Sequence, residues 1–363
     1  MTQPPPPRAP LPPVLAWGAI FGAVAVTALA FGYVGGWLAP KRLTPDHIVD
    51  QFQKNAGVFP GYRRNHAKGV CVTGTFQSSG QAAAYSKAQV FAAGVSTPVV
   101  GRFAIPGSNP YAPDSSVPIR SLALRFTQAD GQQWRTGMNA MPVFAVATPQ
   151  GFYDQLKAQQ PDPVTGKPDP KKVAAFFTAH PETAAFRAWA KTAKPPASFA
   201  GERYNGLDAF VFVDAHGGRH AVRWSMVPQA TSAASPQAGN ADYLAADLQS
   251  RLSQGPLQWH LIVTLARPGD PTNDATRAWP DDRATIDAGT LVVQATTPQD
   301  SGPCRDINYD PLVLPDGIAA SDDPLLPARS AAYAASYLRR TSEEAHLPGT
   351  VQIHTKPQPE ARP

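Results

Sequence analysis

The sequence predicts an α+β fold, in which an antiparallel β-barrel of about eight strands carries inserted and C-terminal helices and follows one membrane-spanning helix. Three observations support this prediction. Short β-rich runs separated by Gly, Pro and Asp turns form two groups, a helical pattern lies between the groups, and a long uncharged stretch precedes both. The 40 prolines among 363 residues fit many irregular connections between short elements, because proline favours turns.

The uncharged stretch covers residues 14–39, which is 26 positions. A helix of about 20 apolar residues crosses a bilayer, and Trp17, Tyr33 and Trp37 lie near the two ends, where aromatic rings favour the interface. A cleaved secretory signal is the alternative, but the stretch exceeds the usual signal core and no Ala-x-Ala site marks its end. We therefore predict an uncleaved, single-pass inner-membrane anchor that places the following domain in the periplasm or otherwise outside the cytoplasm.

Four segments follow from this reading: a Pro-rich disordered tail (1–13), the anchor (14–39), one globular domain (40–345) and a flexible C-terminal tail (346–363). Within the domain, helices are predicted from about residue 44 to 55, over 151–193 and over 328–340. The predicted strands are residues 70–76, 99–103, 121–126, 132–136, 209–213, 220–227, 257–266 and 290–296.

Charge and cysteine content narrow the possible partners and cross-links. The net charge is +5, but the basic residues are scattered instead of forming a basic and aromatic stripe, which argues against nucleic-acid binding. Cys71 and Cys304 are too few for a disulfide framework. Although an exported domain could oxidise them to one bridge, we expect Cys71 to be a small buried thiol in a strand and Cys304 a loop residue.

The last predicted helix carries Arg329, Tyr333 and Arg340 on one face. At about 100° per residue, offsets of four and eleven positions place Tyr333 and Arg340 roughly 40° and 20° from Arg329. Guanidinium groups stabilise the anionic form of a neighbouring phenol, and a phenolate oxygen is a strong donor to ferric iron. This face therefore predicts an iron ligand.

His66 is the candidate partner of that ligand across a cofactor. It precedes a predicted strand, and the small residues Ala67 and Gly69 leave room near the ring for a flat group. Taken alone, an ordinary buried histidine is the simpler interpretation. However, Arg63 and Arg102 also lie among apolar residues, and buried arginines need anions, so together with Arg340 they suit a pair of carboxylates.

The motifs that contain these residues resemble the haem catalase family, and more closely its small catalase-related peroxidase branch. The resemblance covers about residues 50 to 342 and keeps the family's order. It rests on His66-Ala-Lys-Gly69, Tyr85-Ser-Lys-Ala-Gln-Val-Phe91, Thr97-Pro-Val-Val-Gly-Arg-Phe103, Met141-Pro-Val-Phe144, Ala278-Trp-Pro280 and Arg329-x-x-x-Tyr333.

The resemblance implies a barrel of catalase type, a haem b cofactor and a role for each candidate residue. Tyrosine ligation of haem is the established precedent in catalases, so Tyr333 is the expected axial ligand by precedent and not by derivation. The other implied roles are His66 as the distal catalytic base, Arg329 as the partner of the phenolate, Arg63, Arg102 and Arg340 as holders of the haem carboxylates, and Phe152 as a ring against the porphyrin.

Two positions depart from the family pattern. Alignment without gaps from Trp134 to Phe144 places Ala140 where catalases have a distal asparagine, and Asn139 takes over that role only if the loop shifts by one residue. Ala104 stands where catalases have a serine bonded to the distal histidine. Both departures weaken control of a second peroxide molecule, which favours oxidation of an organic donor over dismutation.

The resemblance therefore implies a haem peroxidase that reduces hydrogen peroxide or organic hydroperoxides with a small organic electron donor, with weak catalase activity as a side reaction. Two alternatives stay open: a hydroperoxide lyase or isomerase on the same fold, and a haem-binding barrel without enzymatic activity. Besides peroxide and donor, the expected partner is the membrane, through residues 14–39, and a homodimer is left open.

Overall fold

A computed structural model describes residues 12–35, 38, 42–230 and 240–346. Within these residues one antiparallel sheet contains ten strands: β1 Gly69–Ser78, β2 Ser96–Ala104, β3 Ser121–Thr127, β4 Gln133–Asn139, β5 Tyr204–Asn205, β6 Phe210–Val213, β7 Arg219–Pro228, β8 Leu257–Leu265, β9 Thr285–Pro298 and β10 Ile318–Ala320. The ring β7-β5-β4-β3-β2-β1-β9-β8 closes because β8 also pairs with β7. Strands β6 and β10 extend outward from β7. The prediction of an eight-stranded antiparallel barrel is confirmed.

Along each strand, side chains alternate between the packed interior of the barrel and its outer face. In β3, Leu122, Leu124 and Phe126 are fully buried in the barrel, whereas Ser121 and Ala123 lie on the opposite face. The interior is filled by large rings, among them Phe76, Phe103, Trp134, Trp224 and Trp259. Because the interior is occupied, a cofactor site has to lie outside the barrel.

The described residues contain seven α-helices: α1 Pro13–Val34, α2 Pro45–Ala56, α3 Pro149–Ala158, α4 Pro170–Ala179, α5 Ala184–Thr192, α6 Tyr243–Leu252 and α7 Leu325–His346. Helix α2 packs against α7, where Arg339 binds Asp46 and Asp50 at 2.6 Å each. The helical stretch predicted over 151–193, with Pro and Asp at its internal joints, is found as the three helices α3, α4 and α5. Pro161 and Pro168 interrupt it with a loop, since proline removes a backbone donor and restricts its neighbour.

Helix α1 is long and apolar enough to cross a membrane, judged by length and composition. This agrees with part of the predicted anchor, and a signal sequence meets the same criteria. The predicted tails 1–13 and 346–363 lie outside the described residues, apart from Pro12, Pro13 and His346, and so does Trp37 at the end of the anchor.

The two cysteines form a disulfide, so the expectation of separate thiols was wrong. Cys71 in β1 and Cys304 in the loop after β9 have their Cα atoms 5.3 Å apart and are fully buried beside Ile307 and Tyr309. Their separation of 233 residues conceals this proximity in the sequence. Pairing of β1 with β9 during barrel closure brings the two positions together.

Candidate active site

A cavity separates the outer face of strands β2 to β4 from helices α2 and α7, with an empty volume of about 1530 Å³ that includes its open mouth. Small residues leave space between the sheet and α7: Ala104, Ala123 and Gly137 on the strands, and Ala328 and Ala332 on the helix. A methyl group built on Gly137 would lie 3.4 Å from the Arg329 Nη2 atom and 3.9 Å from the Tyr333 hydroxyl oxygen. Glycine at this position therefore leaves the slot open.

All eight candidate residues line this one cavity, although they span positions 63 to 340 of the chain: Arg63, His66, Arg102, Asn139, Phe152, Arg329, Tyr333 and Arg340. Ala140, the alternative to Asn139, is not part of the lining. Its backbone N–H instead donates to the carbonyl oxygen of Arg120 at 2.8 Å. The structure thus brings the predicted residues together, with Asn139 as the asparagine that lines the cavity.

His66 is held in an unusual backbone conformation. Its φ of 55° is the only positive φ of a non-glycine residue among the described positions. The Asn65 side-chain oxygen accepts from the backbone N–H groups of His66, at 2.9 Å, and Gly107, at 2.8 Å, which stabilises the turn. Strained conformations of this kind persist where the surroundings fix a functional side chain.

The environment of His66 keeps its imidazole neutral. Burial and the nearby positive charges of Arg102 and Arg329 lower the pKa of His66 to about 3, against the opposing effect of a side-chain hydrogen bond with Asn139. A neutral imidazole has one ring nitrogen with a free lone pair. His66 can therefore accept a proton at neutral pH.

Asn139 is itself bonded to a neighbouring strand. Ser121 Oγ donates to Asn139 Oδ1 at 2.6 Å, and both residues line the cavity. They are direct partners in the β3–β4 register, which places their side chains on the same face of the sheet. This serine was missing from the sequence-based candidates, although alternation in β3 places it on the outer face.

On helix α7, Arg329 and Tyr333 are neighbours, with the guanidinium carbon 5.9 Å from the phenol ring centroid. Arg329 also forms an ion pair with the buried Asp208, which precedes β6. Burial acts to lower the pKa of Arg329, but the Asp208 carboxylate and the Tyr333 oxygen together raise it above the ordinary value. The sequence-based analysis missed Asp208, for which the only signal was an acidic residue directly before an apolar strand.

Arg63, Arg102 and Arg340 form an arginine cluster that lacks carboxylate partners. Arg63 donates to the carbonyl oxygens of Cys304, Arg305 and Ile307 at 3.0 to 3.1 Å, and Arg340 donates to that of Arg305 at 2.6 Å. None of the three forms an ion pair within the part of the chain that the structure describes.

Burial and mutual repulsion destabilise the charges of this cluster. Burial, followed by the charge of Arg340, lowers the pKa of Arg63 to about 10, and burial followed by Arg63 lowers that of Arg102 well below its usual value. The buried Nε atom of Arg102 has no hydrogen-bond partner. Buried cations in this situation gain most from a bound anion.

An apolar wall completes the cavity. Phe152 lies between Phe52 of α2 and Phe144, with ring centroids 5.9 Å and 5.8 Å away. Ile48 and Val49 of α2 continue this wall. The helix that directly follows the anchor region thus forms one side of the site.

Together these features fit an iron porphyrin. The slot between sheet and helix suits a flat apolar ring, the Tyr333 oxygen is a hard iron donor, and the arginine cluster suits two carboxylates. The three buried guanidinium groups of the arginine cluster, which form no ion pair among the described residues, are the clearest sign that an anionic group is part of the complete site.

A family model described as Catalase matches residues 43–350 of the chain. A catalase-related peroxidase of Synechococcus elongatus is 41% identical over 90% of this chain and 96% of its own length. A catalase-related peroxidase of Mycolicibacterium paratuberculosis is 32% identical over 82% of this chain and 95% of its own length. A catalase of Pseudomonas syringae is 28% identical, and the match covers 76% of this chain but 56% of that longer protein.

Solved structures agree with these matches at the level of the fold. A bacterial catalase superposes with a TM-score of 0.69 at 24% identity, covering 78% of this chain and 58% of the other. Catalase A of Saccharomyces cerevisiae superposes with a TM-score of 0.70 at 19% identity, covering 78% and 62%. The barrel and the helices that enclose the cavity are therefore a known architecture.

Proposed function

Because the chain belongs to the catalase family, in its catalase-related peroxidase branch, we propose that it is a haem b peroxidase. It reduces hydrogen peroxide or an organic hydroperoxide with a small organic donor, so that ROOH and AH₂ give ROH, H₂O and A. The observation that carries this proposal is the single cavity in which a phenol, a neutral imidazole and an unpaired arginine cluster face one slot. Weak catalase activity accompanies the main reaction.

Each group has a role that its surroundings support. When bound, haem supplies an iron centre that exchanges electrons with peroxide and donor. Tyr333 would provide the oxygen ligand to the iron, supported by the neighbouring Arg329, and the arginine cluster would bind the two propionates. Phe152 would pack against the ring from the apolar wall.

Residues on the sheet side of the cavity carry out the acid–base steps. An imidazole nitrogen of His66 accepts a proton from the peroxide and returns it to the departing oxygen, which leaves as water from hydrogen peroxide or as the alcohol ROH from an organic hydroperoxide. The low pKa of His66 keeps it ready for the first of these transfers. The Asn139 amide donates a hydrogen bond that orients the peroxide.

We further propose that residues 14–39 anchor the protein in the inner membrane with the active site outside the cytoplasm. Helix α1 has the length and composition for a span. The Cys71–Cys304 disulfide supports an exported location, because structural disulfides form and persist in oxidising compartments.

The test uses full-length protein purified in detergent. Stoichiometric haem is measured by visible absorption, and peroxide consumption is followed with and without a phenolic donor. We expect about one haem per chain and consumption that rises with the donor. Protein without haem would refute the proposal. Conversion of a lipid hydroperoxide without any donor oxidation would instead identify a lyase or isomerase.

A further inference from the structure

A hydroxyl group occupies the sheet wall one strand away from Ala104. Ala104, Ser121 and Asn139 are consecutive partners across β2, β3 and β4, so their side chains lie side by side on the outer face. All three line the cavity. Directly opposed side chains in an antiparallel pair have Cβ atoms about 5 Å apart, which lets Ser121 reach Asn139 without displacement of either strand.

The hydrogen bond between these residues decides what Asn139 offers to the cavity. Ser121 Oγ donates to Asn139 Oδ1 at 2.6 Å, so the amide oxygen is turned toward β3. The Nδ2 group then remains as a donor, with two N–H bonds, for a ligand in the cavity. Without the hydroxyl, rotation of the amide by about 180° would present an oxygen to a peroxide oxygen, which is repulsive.

The hydroxyl acts on a different neighbour from the one expected by resemblance. A serine at position 104 would reach His66, whereas Ala104 has no polar atom. Ser121 contacts Asn139, which lines the same cavity as His66. Orientation of the amide is therefore controlled from β3, while His66 is held by its backbone turn.

We propose that Ser121 is a positioning residue that fixes the Asn139 amide as a donor to peroxide, and that this preserves dismutation as a secondary activity. The inference rests on the proposed peroxidase function. Both reactions begin with a peroxide that Asn139 orients, but dismutation requires a second peroxide to be oriented in the same cavity, whereas an organic donor delivers its electrons without a hydrogen bond from Asn139. Loss of the hydroxyl should therefore reduce oxygen release more than donor oxidation.

A matched set of variants isolates the hydroxyl. The side chains introduced by Ser121→Val and Ser121→Thr have nearly the same shape, and both are β-branched and suit a strand. Only threonine keeps the hydroxyl. Ser225 supplies the control: it is 7% exposed, as is Ser121, and its Oγ donates to Asn205 Oδ1 on the paired strand at 2.9 Å, away from the cavity lining. Ser225→Val removes a similar bond where no peroxide binds.

The measurements are haem content, the ratio of oxygen released to donor oxidised, and the conformation of the Asn139 amide in neutron crystal structures of each variant, because X-ray density does not distinguish the amide oxygen from its nitrogen. We expect Ser121→Val to keep haem content within about twofold while the ratio of oxygen released to donor oxidised falls about tenfold, in the range found for residues that orient a primary ligand. Threonine should restore the ratio, and Ser225→Val should leave it unchanged. Crystals of the valine variant should show Asn139 turned or in two conformers.

An unchanged ratio with an unchanged Asn139 conformation would overturn the proposal, as would an equal loss with threonine. If valine prevents folding, Ser121→Ala gives the same comparison with a smaller side chain. If the wild-type protein neither binds haem nor consumes peroxide, the peroxidase function fails. The Asn139 conformation in crystals of haem-free variants then still tests whether Ser121 fixes the amide.

Discussion

The two walls of the cavity differ in their electrostatic environment. The sheet wall, defined by His66, Ser121 and Asn139, presents neutral groups, and its imidazole stays unprotonated because it is buried and lies near the cations Arg102 and Arg329. The helix wall, defined by Arg329 and Tyr333, presents a guanidinium whose charge is matched by Asp208. Proton acceptance needs the first environment, and an anionic oxygen ligand needs the second. The comparison indicates that one cavity separates the group proposed for proton transfer from the group proposed as iron ligand.

The largest expected effect comes from the helix wall. Tyr333→Phe removes the phenol oxygen but keeps the ring, so we expect haem binding to weaken by at least about 100-fold, with an altered or absent haem band. Absorption spectroscopy with haem titration measures this. Tyr337→Phe, one turn further along α7 and also at the cavity, is the matched control. An unaltered spectrum in Tyr333→Phe would assign the ligand elsewhere.

Substitution in the sheet wall should separate turnover from haem binding. His66→Ala removes the proton acceptor, so we expect kcat/KM for peroxide to fall about 10²- to 10⁴-fold while haem content stays near that of wild type. Steady-state kinetics and haem content on the same preparation check this. A loss of haem as large as the loss of kcat/KM in this variant would mean that the sheet wall also holds the haem, against the proposed separation of the two walls.

Asp208→Asn tests whether Asp208 neutralises the charge of Arg329 in the haem-free protein. The carboxylate is 4% exposed and neutralises a buried guanidinium, so its loss should lower the free energy of unfolding of the haem-free protein by about 3 kcal/mol. Denaturant titration measures the change. Asp154→Asn, which removes an exposed partner of Lys157, is the control and should cost less than about 1 kcal/mol. Equal costs would show that Arg329 does not depend on Asp208.

The sheet wall should make the haem-free protein less stable in acid. The pKa of His66 is about 3 in the folded state and 6.5 for an ordinary histidine, so between these values the unfolded chain binds a proton that the folded protein does not. Stability is therefore fully present above pH 6.5 and is lost on acidification, by up to about 1.4 kcal/mol per pH unit at this site. Denaturant midpoints from pH 7 to 5 should fall less steeply in His66→Gln than in the exposed control His216→Gln. Parallel slopes would contradict the neutral imidazole.

The smallest effect on stability is expected in the arginine cluster. Arg102→Met removes a buried charge that has no ion-pair partner, so the free energy of unfolding of the haem-free protein should change by less than about 1 kcal/mol. Haem affinity should nevertheless fall about tenfold, because a propionate loses a charged donor. Parallel denaturant and haem titrations separate the two quantities. A destabilisation as large as that of Asp208→Asn would show that the cluster is structural.

Features with local periodicity were predictable from the sequence. The helix face with Arg329 and Tyr333 follows from 3.6-residue spacing, and the barrel strands follow from alternation between turns. Pairings created by closure of the barrel were not predictable. Asp208 meets Arg329 across 121 residues, and Cys71 meets Cys304 across 233. No periodic pattern encodes such contacts.

The sequence alone also could not decide which of two neighbours, Asn139 or Ala140, lies on the cavity. Gapless counting pointed to Ala140, whereas the register of β4 with β3 puts Asn139 on the cavity and opposite Ser121. A shift of one position along a strand moves a side chain to the other face, so only the strand pairing distinguishes the two.

The disulfide also changes how far apart the two walls are along the covalent chain. His66 lies shortly before Cys71, and Tyr333 follows Cys304 by about one helix and a loop. With the bond formed, the shortest covalent path between them falls from about 270 residues to about 35, which lowers the entropic cost of bringing them together by about 2 kcal/mol. Strands β2 to β9 lie entirely within the closed side loop of this path. A chain cut anywhere in that loop would still hold both residues on one covalent molecule.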